Sequence, residues 1–197
     1  MRTLIDLSLE IEEGMPVYPG DPATRIGVLE APESTGEGWT VHFIRMSLHA
    51  GTHIEAPSHS IPGGKTLDGY PLEAFRGRAV AIRREEIGRT EIDAPILLVH
   101  TGMDPGTDIQ GRGSAAPFTR AEMQWIADRG IRLAGFDVMS VGDIHVHRVL
   151  QERDILIVES MRGLDAVLNR SMNLYLFPLR IVGAEASPVR AVAEIVS

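Results

Sequence analysis

The 197-residue sequence contains no cysteine, which excludes disulfide bonds, thiolate metal sites and a cysteine nucleophile. Aromatic residues make up only 5% of the chain, so an aromatic-rich pocket within one subunit is not expected. No apolar run approaches the ~20 residues of a membrane-spanning helix, and Asp6 interrupts the apolar run near the N-terminus, which argues against a signal peptide. The net charge of −8 argues against nucleic acid or an anionic membrane as a partner. We therefore expect a soluble cytoplasmic protein.

The remaining composition is that of an ordinary globular protein, with 44% hydrophobic and 23% charged residues. The length is ample for one domain and short for two, and no repeat or linker divides the chain, so a single domain over residues 1–197 is predicted. Alternation and β-branched residues predict eight strands, over 7–11, 39–49, 78–82, 95–102, 131–138, 154–159, 172–182 and 189–196.

The clearest helix signal is "TRAEMQWIADRG", where Thr119 and Glu122 form a capping-box pattern and Gly130 stands where a helix ends. Shorter helical turns are predicted at 147–153 and 164–170. Strands outnumber helices, so the pattern indicates an α/β or α+β domain built around a mixed β-sheet.

The most distinctive segment is "SLHAGTHIEAPSH" (47–59), which holds three of the seven histidines. In an extended chain, residues two apart point to the same face, so His53, Glu55 and His59 would share one. Gly51 permits a sharp bend that would bring His49 to join them. Three imidazoles and a carboxylate suit zinc, manganese or ferrous iron. Surface histidines that bind no metal are the alternative.

A second segment, "GDIHVHRVLQERDILIVES" (142–160), offers further ligands. His145 and His147 precede a predicted helical turn, and Glu159 closes an apolar run, either as an exposed strand end or as a buried carboxylate. His145, His147 and Glu152 also fit the H-x-H-x4-E core of a cupin metal site. That alternative needs a further histidine downstream, and none follows His147.

The segment "HAGTHIEAPSH" resembles the H-x-G-T-H-x-D-x-P-x-H motif of the cyclase-like metal-dependent hydrolases, a family that includes bacterial kynurenine formamidase and isatin hydrolase. "PVYPGDP", the "TG" of "LLVHTG", the H-x11-E pair and "PLRIVGAEASPVRAV" occur in the family's order, so the resemblance covers nearly the whole chain. It implies an α/β fold of the swivelling β/β/α type, a homodimer or larger homo-oligomer, and one or two divalent ions, zinc or in some members manganese.

By matching positions, the resemblance implies that the metal ligands are His49, His53, Glu55, His147 and Glu159. Glu55 stands where the family has aspartate, which puts the number of ions and the substrate in question. His59 matches the family's catalytic acid/base, and Tyr18 matches an aromatic substrate-binding position.

The implied reaction is hydrolysis of an amide C–N bond, in an aryl formamide such as N-formylkynurenine or a cyclic amide such as isatin. Water activated by the metal would attack the carbonyl, and His59 would move the proton. The alternative for His59 is a role as a further metal ligand or as a hydrogen-bond partner of a ligand. A non-catalytic member that binds a metal or small ligand is the alternative.

Several further residues are candidates for supporting roles. Asp137 and Asp143 are candidates to orient ligand imidazoles through their free ring nitrogens, with an ordinary role in a turn as the alternative for each. Trp39, Tyr70 and Phe118 are candidates to line a pocket around a planar substrate, with the hydrophobic core as the alternative for Trp39 and Phe118.

Overall fold

The computed structural model describes residues 2–30, 39–106 and 118–195, apart from the side chain of Glu30. In this part of the chain the strands are β1 (Thr3–Asp6), β2 (Arg25–Glu30), β3 (Thr40–Arg45), β4 (His53–Glu55), β5 (Arg76–Arg83), β6 (Ile96–His100), β7 (Leu133–Phe136), β8 (Leu156–Glu159), β9 (Met172–Tyr175), β10 (Ala186–Pro188) and β11 (Val192–Ile195). The α-helices there are α1 (Arg120–Ala127) and α2 (Ile144–Gln151).

Nine of these strands form one mixed sheet in the order β1-β11-β9-β5-β6-β7-β8-β4-β10. The central strands β5, β6, β7 and β8 run parallel to one another. The short strand β4 lies antiparallel between β8 and β10. The predicted α/β fold around a mixed sheet is confirmed, and the histidine-rich segment enters the sheet next to the carboxyl end of β8.

Two groups of buried side chains occupy opposite faces of the sheet because alternate residues of a strand point to opposite sides. Leu97, Val99 and Phe136 face the two helices, where they pack with residues such as Met123 and Ile126. The other face packs against residues of β4, β9 and β11. Fully buried Phe136 is an example of a side chain whose loss typically costs about 3–5 kcal/mol.

Helix α1 begins as the sequence predicts. The Thr119 side chain accepts a hydrogen bond from the Glu122 amide at 3.2 Å, and the Thr119 amide donates to the Glu122 carboxylate at 2.7 Å. The reciprocal bonds satisfy two amides that a helix start otherwise leaves unpaired, and such caps typically contribute ~1 kcal/mol.

The predicted strand over 7–11 is wrong, since β1 ends at Asp6. Beyond it, the Ser8 hydroxyl bonds to the amide of Ala191 at 2.8 Å, and the Leu9 amide donates to the Thr52 hydroxyl at 2.8 Å. Side-chain oxygens thus replace the backbone partners that a regular ladder would supply. Most of the other predicted strands were too long at one or both ends. For example, β3 ends at Arg45, β7 spans only Leu133–Phe136, β9 ends at Tyr175, and β11 spans Val192–Ile195; Val196 lies outside the described residues.

Among the described strands, β2 and β3 pair with each other and with no third strand, as an antiparallel ribbon separate from the nine-stranded sheet. Every residue of β3 is exposed, including Val41, Phe43 and Ile44. Two-stranded ribbons are marginally stable alone. Among the described residues, no helix has the length and apolar character needed to cross a membrane.

Candidate active site

The pairing of β4 with β8 brings the two histidine-containing segments together. His53 lies directly opposite Glu159 in this antiparallel pair, and Glu55 follows two residues later on the same face of β4. All three side chains are almost completely buried. Glu159 is therefore a buried carboxylate at a strand end and not an exposed terminal residue.

His49 reaches this group through a turn that depends on glycine. Gly51 has a φ of +69°, in the left-handed region that disfavours other residues. A Cβ atom built there would also lie 3.3 Å from the Met15 side chain. The turn folds His49 back over β4, as expected from the sequence.

Helix α2 supplies the remaining imidazole. The prediction that His145 and His147 precede a helical stretch is wrong: both lie inside α2, because Asp143 caps its N-terminus by accepting hydrogen bonds from the amides of His145 and Val146 at 2.8 and 3.1 Å. Residues two apart on a helix point in different directions. His147 is buried and faces Glu159, whereas His145 is exposed.

Glu55 lies at the centre of the cluster. Its Oε1 atom is 2.9 Å from His49 Nδ1, 3.4 Å from His53 Nε2 and 3.7 Å from His59 Nε2. Its Oε2 atom is 3.5 Å from His147 Nε2. The two carboxylate oxygens thus face different imidazoles.

The outer nitrogens of three histidines are bonded to oxygens that only accept hydrogen bonds. His53 Nδ1 lies 2.9 Å from the Gly51 carbonyl, and His147 Nδ1 lies 2.9 Å from the Asp143 carbonyl. His49 Nε2 lies 3.3 Å from the Glu185 carboxylate.

An N–H group must donate in each of these bonds, so the neutral forms present their inner nitrogen lone pairs to the cluster. Metal-binding imidazoles are held in this way. Glu159 is also fixed, by the Val141 amide at 2.7 Å from its Oε1.

These residues fit a divalent metal. Glu55 Oε2 is buried and has no hydrogen-bond partner among the described residues, and His49 Nδ1 faces His53 Nε2 at only 3.2 Å. A cation would satisfy both features, since imidazole nitrogens and carboxylate oxygens are the ligands that zinc and manganese take. In the described part of the chain, two groups of side chains that share Glu55 have donor atoms within 4.8 Å of one another: His49, Glu55 and His59, and His53, Glu55 and Glu159.

The charges around the cluster shift the pKa values of His147 and His59 in opposite directions. Burial lowers the pKa of His147, but the hydrogen bond and charge of Glu159, with the charge of Glu55, outweigh it and raise that pKa to about 9. Burial is the largest influence on His59 as well, and there the pKa stays below its ordinary value, helped by the positive charges of His49 and His147. For Glu55, the surrounding imidazoles outweigh burial and hold its pKa well below the usual range.

His59 occupies the open side of the cluster. It ends a 3-10 turn (Pro57–His59), and its side chain is 33% exposed, against 5% for that of His147. Its ring lies 4.5 Å from that of His49, centroid to centroid. Among the residues that the structure describes, none hydrogen-bonds to its Nδ1 atom, so His59 lacks the support that the other three imidazoles have.

A cavity of about 410 Å³ opens above these side chains, and Tyr18 is the aromatic residue among its described lining. The other pocket candidates, Trp39, Tyr70 and Phe118, are not among its described lining residues, and for Phe118 the alternative, a place in the hydrophobic core, is confirmed. Trp39 lies exposed beside β3, and Phe118 packs in the core against Phe136. Tyr70 contacts Phe75 and lines a different surface depression.

Of the two residues expected to orient ligand imidazoles, Asp143 does so for His147 and Asp137 does not. Asp137 accepts hydrogen bonds from the amide and hydroxyl of Thr101, both at 2.8 Å, and bonds to His100 at 2.7 Å, so it orients no ligand. Asp143 orients the His147 imidazole, but with its backbone carbonyl and not with its carboxylate. Glu152 follows α2 as an exposed residue outside the cavity lining, which removes the cupin arrangement.

Sequence reasoning missed Glu185, whose carboxylate lies on His49. It immediately precedes β10, and the bond from the Ala56 amide to the Glu185 carbonyl, at 2.8 Å, places it beside the cluster. No local pattern marks it, because only the long-range pairing of β4 with β10 brings it there.

A buried histidine–carboxylate cluster beneath an open cavity, at the carboxyl end of β8, is the kind of site that holds a divalent metal in an α/β enzyme. The sequence model described as "Putative cyclase" matches residues 5–94. Kynurenine formamidase from Bordetella petrii is 31% identical over 219 residues, covering 98% of both chains. That from Salinibacter ruber is 29% identical over 204 residues, covering 96% of each.

Among solved structures, isatin hydrolase A from Labrenzia aggregata superposes with a TM-score of 0.82 at 23% identity, covering 100% of this chain and 94% of that one. This likeness confirms the fold. The chain belongs to the cyclase family of metal-dependent hydrolases.

Proposed function

We propose that the protein is a metal-dependent amidohydrolase that cleaves an aryl formamide of the N-formylkynurenine type, giving formate and an arylamine. The observation that carries this proposal is the grouping of His49, His53, His147 and Glu159 around the buried Glu55 carboxylate, beneath an open cavity. The named activity of relatives at about 30% identity over nearly the whole chain supports this substrate class.

The same five side chains would hold the metal. It would be zinc or manganese, with one or two ions bound per chain. When bound, a divalent metal polarises a carbonyl and lowers the pKa of water from 15.7 to about 7. The outer hydrogen bonds of the three imidazoles keep their inner nitrogens available as ligands, and the two oxygens of Glu55 face different imidazoles. The longer Glu55 side chain, in place of the family's aspartate, is therefore compatible with ligation.

His59 is the residue proposed to move the proton. Its lowered pKa leaves the imidazole neutral at pH 7, so Nε2 can accept a proton as water adds to the carbonyl carbon. The same atom can return that proton to the nitrogen as the C–N bond breaks. Its position on the open side of the cluster gives it access to both reacting groups.

Tyr18 is proposed to contact the aromatic ring of the substrate. Its side chain is largely exposed and lines the cavity above the cluster. A single aromatic residue in the described lining favours a substrate held by one stacking contact and by polar groups.

The experiment is turnover of N-formylkynurenine before and after chelation, with zinc or manganese restored, in the wild-type protein and two variants. His147→Asn removes a proposed ligand, and His145→Asn is the matched control two residues away on α2. We expect metal-dependent turnover that His147→Asn abolishes and His145→Asn leaves intact. Equal loss in both variants, or turnover that survives chelation, would contradict the proposal. If the protein hydrolysed isatin but not N-formylkynurenine, its substrate class would be cyclic amides and not aryl formamides.

The family resemblance also implies a homodimer or larger homo-oligomer, which we propose for this chain. The exposed apolar side chains of the β2–β3 ribbon support that assembly, since burying them against another copy would stabilise the ribbon. Analytical ultracentrifugation tests this, and a monomer at micromolar concentration would contradict it.

A further inference from the structure

A smaller cavity, of about 180 Å³, adjoins the one above the metal cluster. The two share Tyr18, His49 and Met139 in their linings. A molecule with its reacting group over the cluster can therefore extend past Tyr18 into this second cavity, which we call the side cavity.

Arg162 brings a positive charge to the side cavity. It is the sole lysine or arginine among the described residues of the lining, and its guanidinium has no ion-pair partner within 4.0 Å among them. Its backbone is fixed, because the Arg162 amide donates to the Leu7 carbonyl at 3.0 Å. Ser160, with a φ of 56°, turns the chain directly after Glu159 and so links the position of Arg162 to the cluster.

Glu12 lines the same cavity and is exposed. Its neighbours in sequence already interact with cations: Glu13 pairs with Arg25 at 3.1 Å, and the charge of Glu10 acts on Arg190. Glu12 has no such partner among the described residues.

Three described acidic residues line the side cavity, Glu10, Glu12 and Asp104. Of these, only Glu12 has a carboxylate without a described partner, since the charge of Glu10 acts on Arg190 and Asp104 has partners of its own. The cavity thus offers the Arg162 guanidinium and the Glu12 carboxylate to a ligand.

We propose that the side cavity binds an α-amino-acid head group, with Arg162 on its carboxylate and Glu12 on its ammonium. The inference rests on the proposed function, because it assumes that the formamide occupies the neighbouring cluster. Arginine suits this role since its planar guanidinium binds a carboxylate through two parallel hydrogen bonds. Tyr18, at the junction of the two cavities, would then contact the aryl ring between the formamide and the head group.

The test compares N-formylkynurenine with formanilide, a neutral aryl formamide that lacks the head group. In Arg162→Gln, the ratio of kcat/KM for N-formylkynurenine to that for formanilide should fall about 10- to 100-fold, the range expected for a lost charge-assisted hydrogen bond. The change should appear in KM, because binding remote from the reacting atoms is removed. Arg162→Lys should restore part of the ratio, and Arg170→Gln, an exposed arginine outside both cavities, is the control. An unchanged ratio in Arg162→Gln would overturn the proposal.

A binding measurement separates this inference from the proposed function. By calorimetry, the wild-type protein should bind L-kynurenine at least about 10-fold more tightly than 2-aminoacetophenone, which lacks the head group. Arg162→Gln and Glu12→Gln should each reduce that preference. Hydrolysis of formanilide without any preference for L-kynurenine would refute the head-group site alone. Preference for L-kynurenine without hydrolysis would refute the proposed reaction and retain the site.

Discussion

Replacement of Glu55 by glutamine should weaken metal binding at least about 100-fold. The carboxylate is 1% exposed and lies 2.9 Å from His49 Nδ1, 3.4 Å from His53 Nε2 and 3.5 Å from His147 Nε2. Glutamine keeps nearly the same shape but removes the negative charge. It also places an amide N–H₂ group where one carboxylate oxygen faced an imidazole.

The magnitude follows from the position of Glu55 at the centre of the cluster. Loss of a residue that only hydrogen-bonds to a metal ligand costs 10- to 100-fold in affinity, so loss of a ligand charge should cost at least the upper value. One hundredfold is about 2.8 kcal/mol of binding free energy. Stabilisation by a ligand depends on its affinity, so saturating zinc should raise the Tm of the variant by about 6–11 °C less than that of the wild type.

The assay is equilibrium dialysis against buffered zinc, followed by metal analysis and thermal unfolding with and without zinc. Glu152→Gln is the matched control, since Glu152 is an exposed glutamate just after α2. It should bind zinc as the wild type does. A Glu55→Gln variant with wild-type affinity and a wild-type rise in Tm would refute the placement of Glu55 in the metal site.

Three further predictions concern other parts of the site and fold. His59→Asn should lower kcat at least ~100-fold, as expected for a lost acid/base, with metal content unchanged; His145→Asn is its control, and a parallel loss of metal would contradict the role. Gly64→Ala should destabilise the protein by about 1–3 kcal/mol in urea unfolding, because its Cβ would lie 2.8 Å from backbone atoms of the turn that carries His59; an unchanged urea midpoint would contradict this. Burial raises the pKa of Glu122, but hydrogen bonds from Arg84 and Thr119 outweigh it and leave that pKa below its ordinary value. Glu122→Gln should therefore lower the free energy of unfolding by about 1 kcal/mol at pH 7. This difference between variant and wild type should vanish as the pH falls through the lowered pKa of Glu122. A difference that stays the same in urea unfolding at pH 7 and below that pKa would be incompatible with this.

The candidate site could be predicted in outline because its first half is local. His49, Gly51, His53, Glu55 and His59 fall within eleven residues, and the spacing of a strand and the freedom of glycine already bring them together. The buried central strands were also predictable, since long β-branched runs bounded by turns leave few alternatives.

The rest of the site, and the structure of residues 7–11, could not be predicted locally because they depend on tertiary contacts. The alternation of Leu7, Leu9 and Ile11 resembles a strand, yet Ser8 and Thr52 side chains take the hydrogen bonds there. The positions of Glu159 and Glu185 follow from strand pairing across more than a hundred residues. Asp143 was recognised as a candidate, but its use as a helix cap and backbone acceptor depends on where α2 begins.

The central claim is that the cluster around Glu55 holds a catalytic divalent metal. The most direct test is metal content by inductively coupled plasma mass spectrometry, measured together with N-formylkynurenine turnover in the same samples during stepwise reconstitution. We predict that turnover rises in proportion to bound zinc or manganese and saturates at one or two ions per chain. A protein that binds no divalent ion after reconstitution would contradict the account.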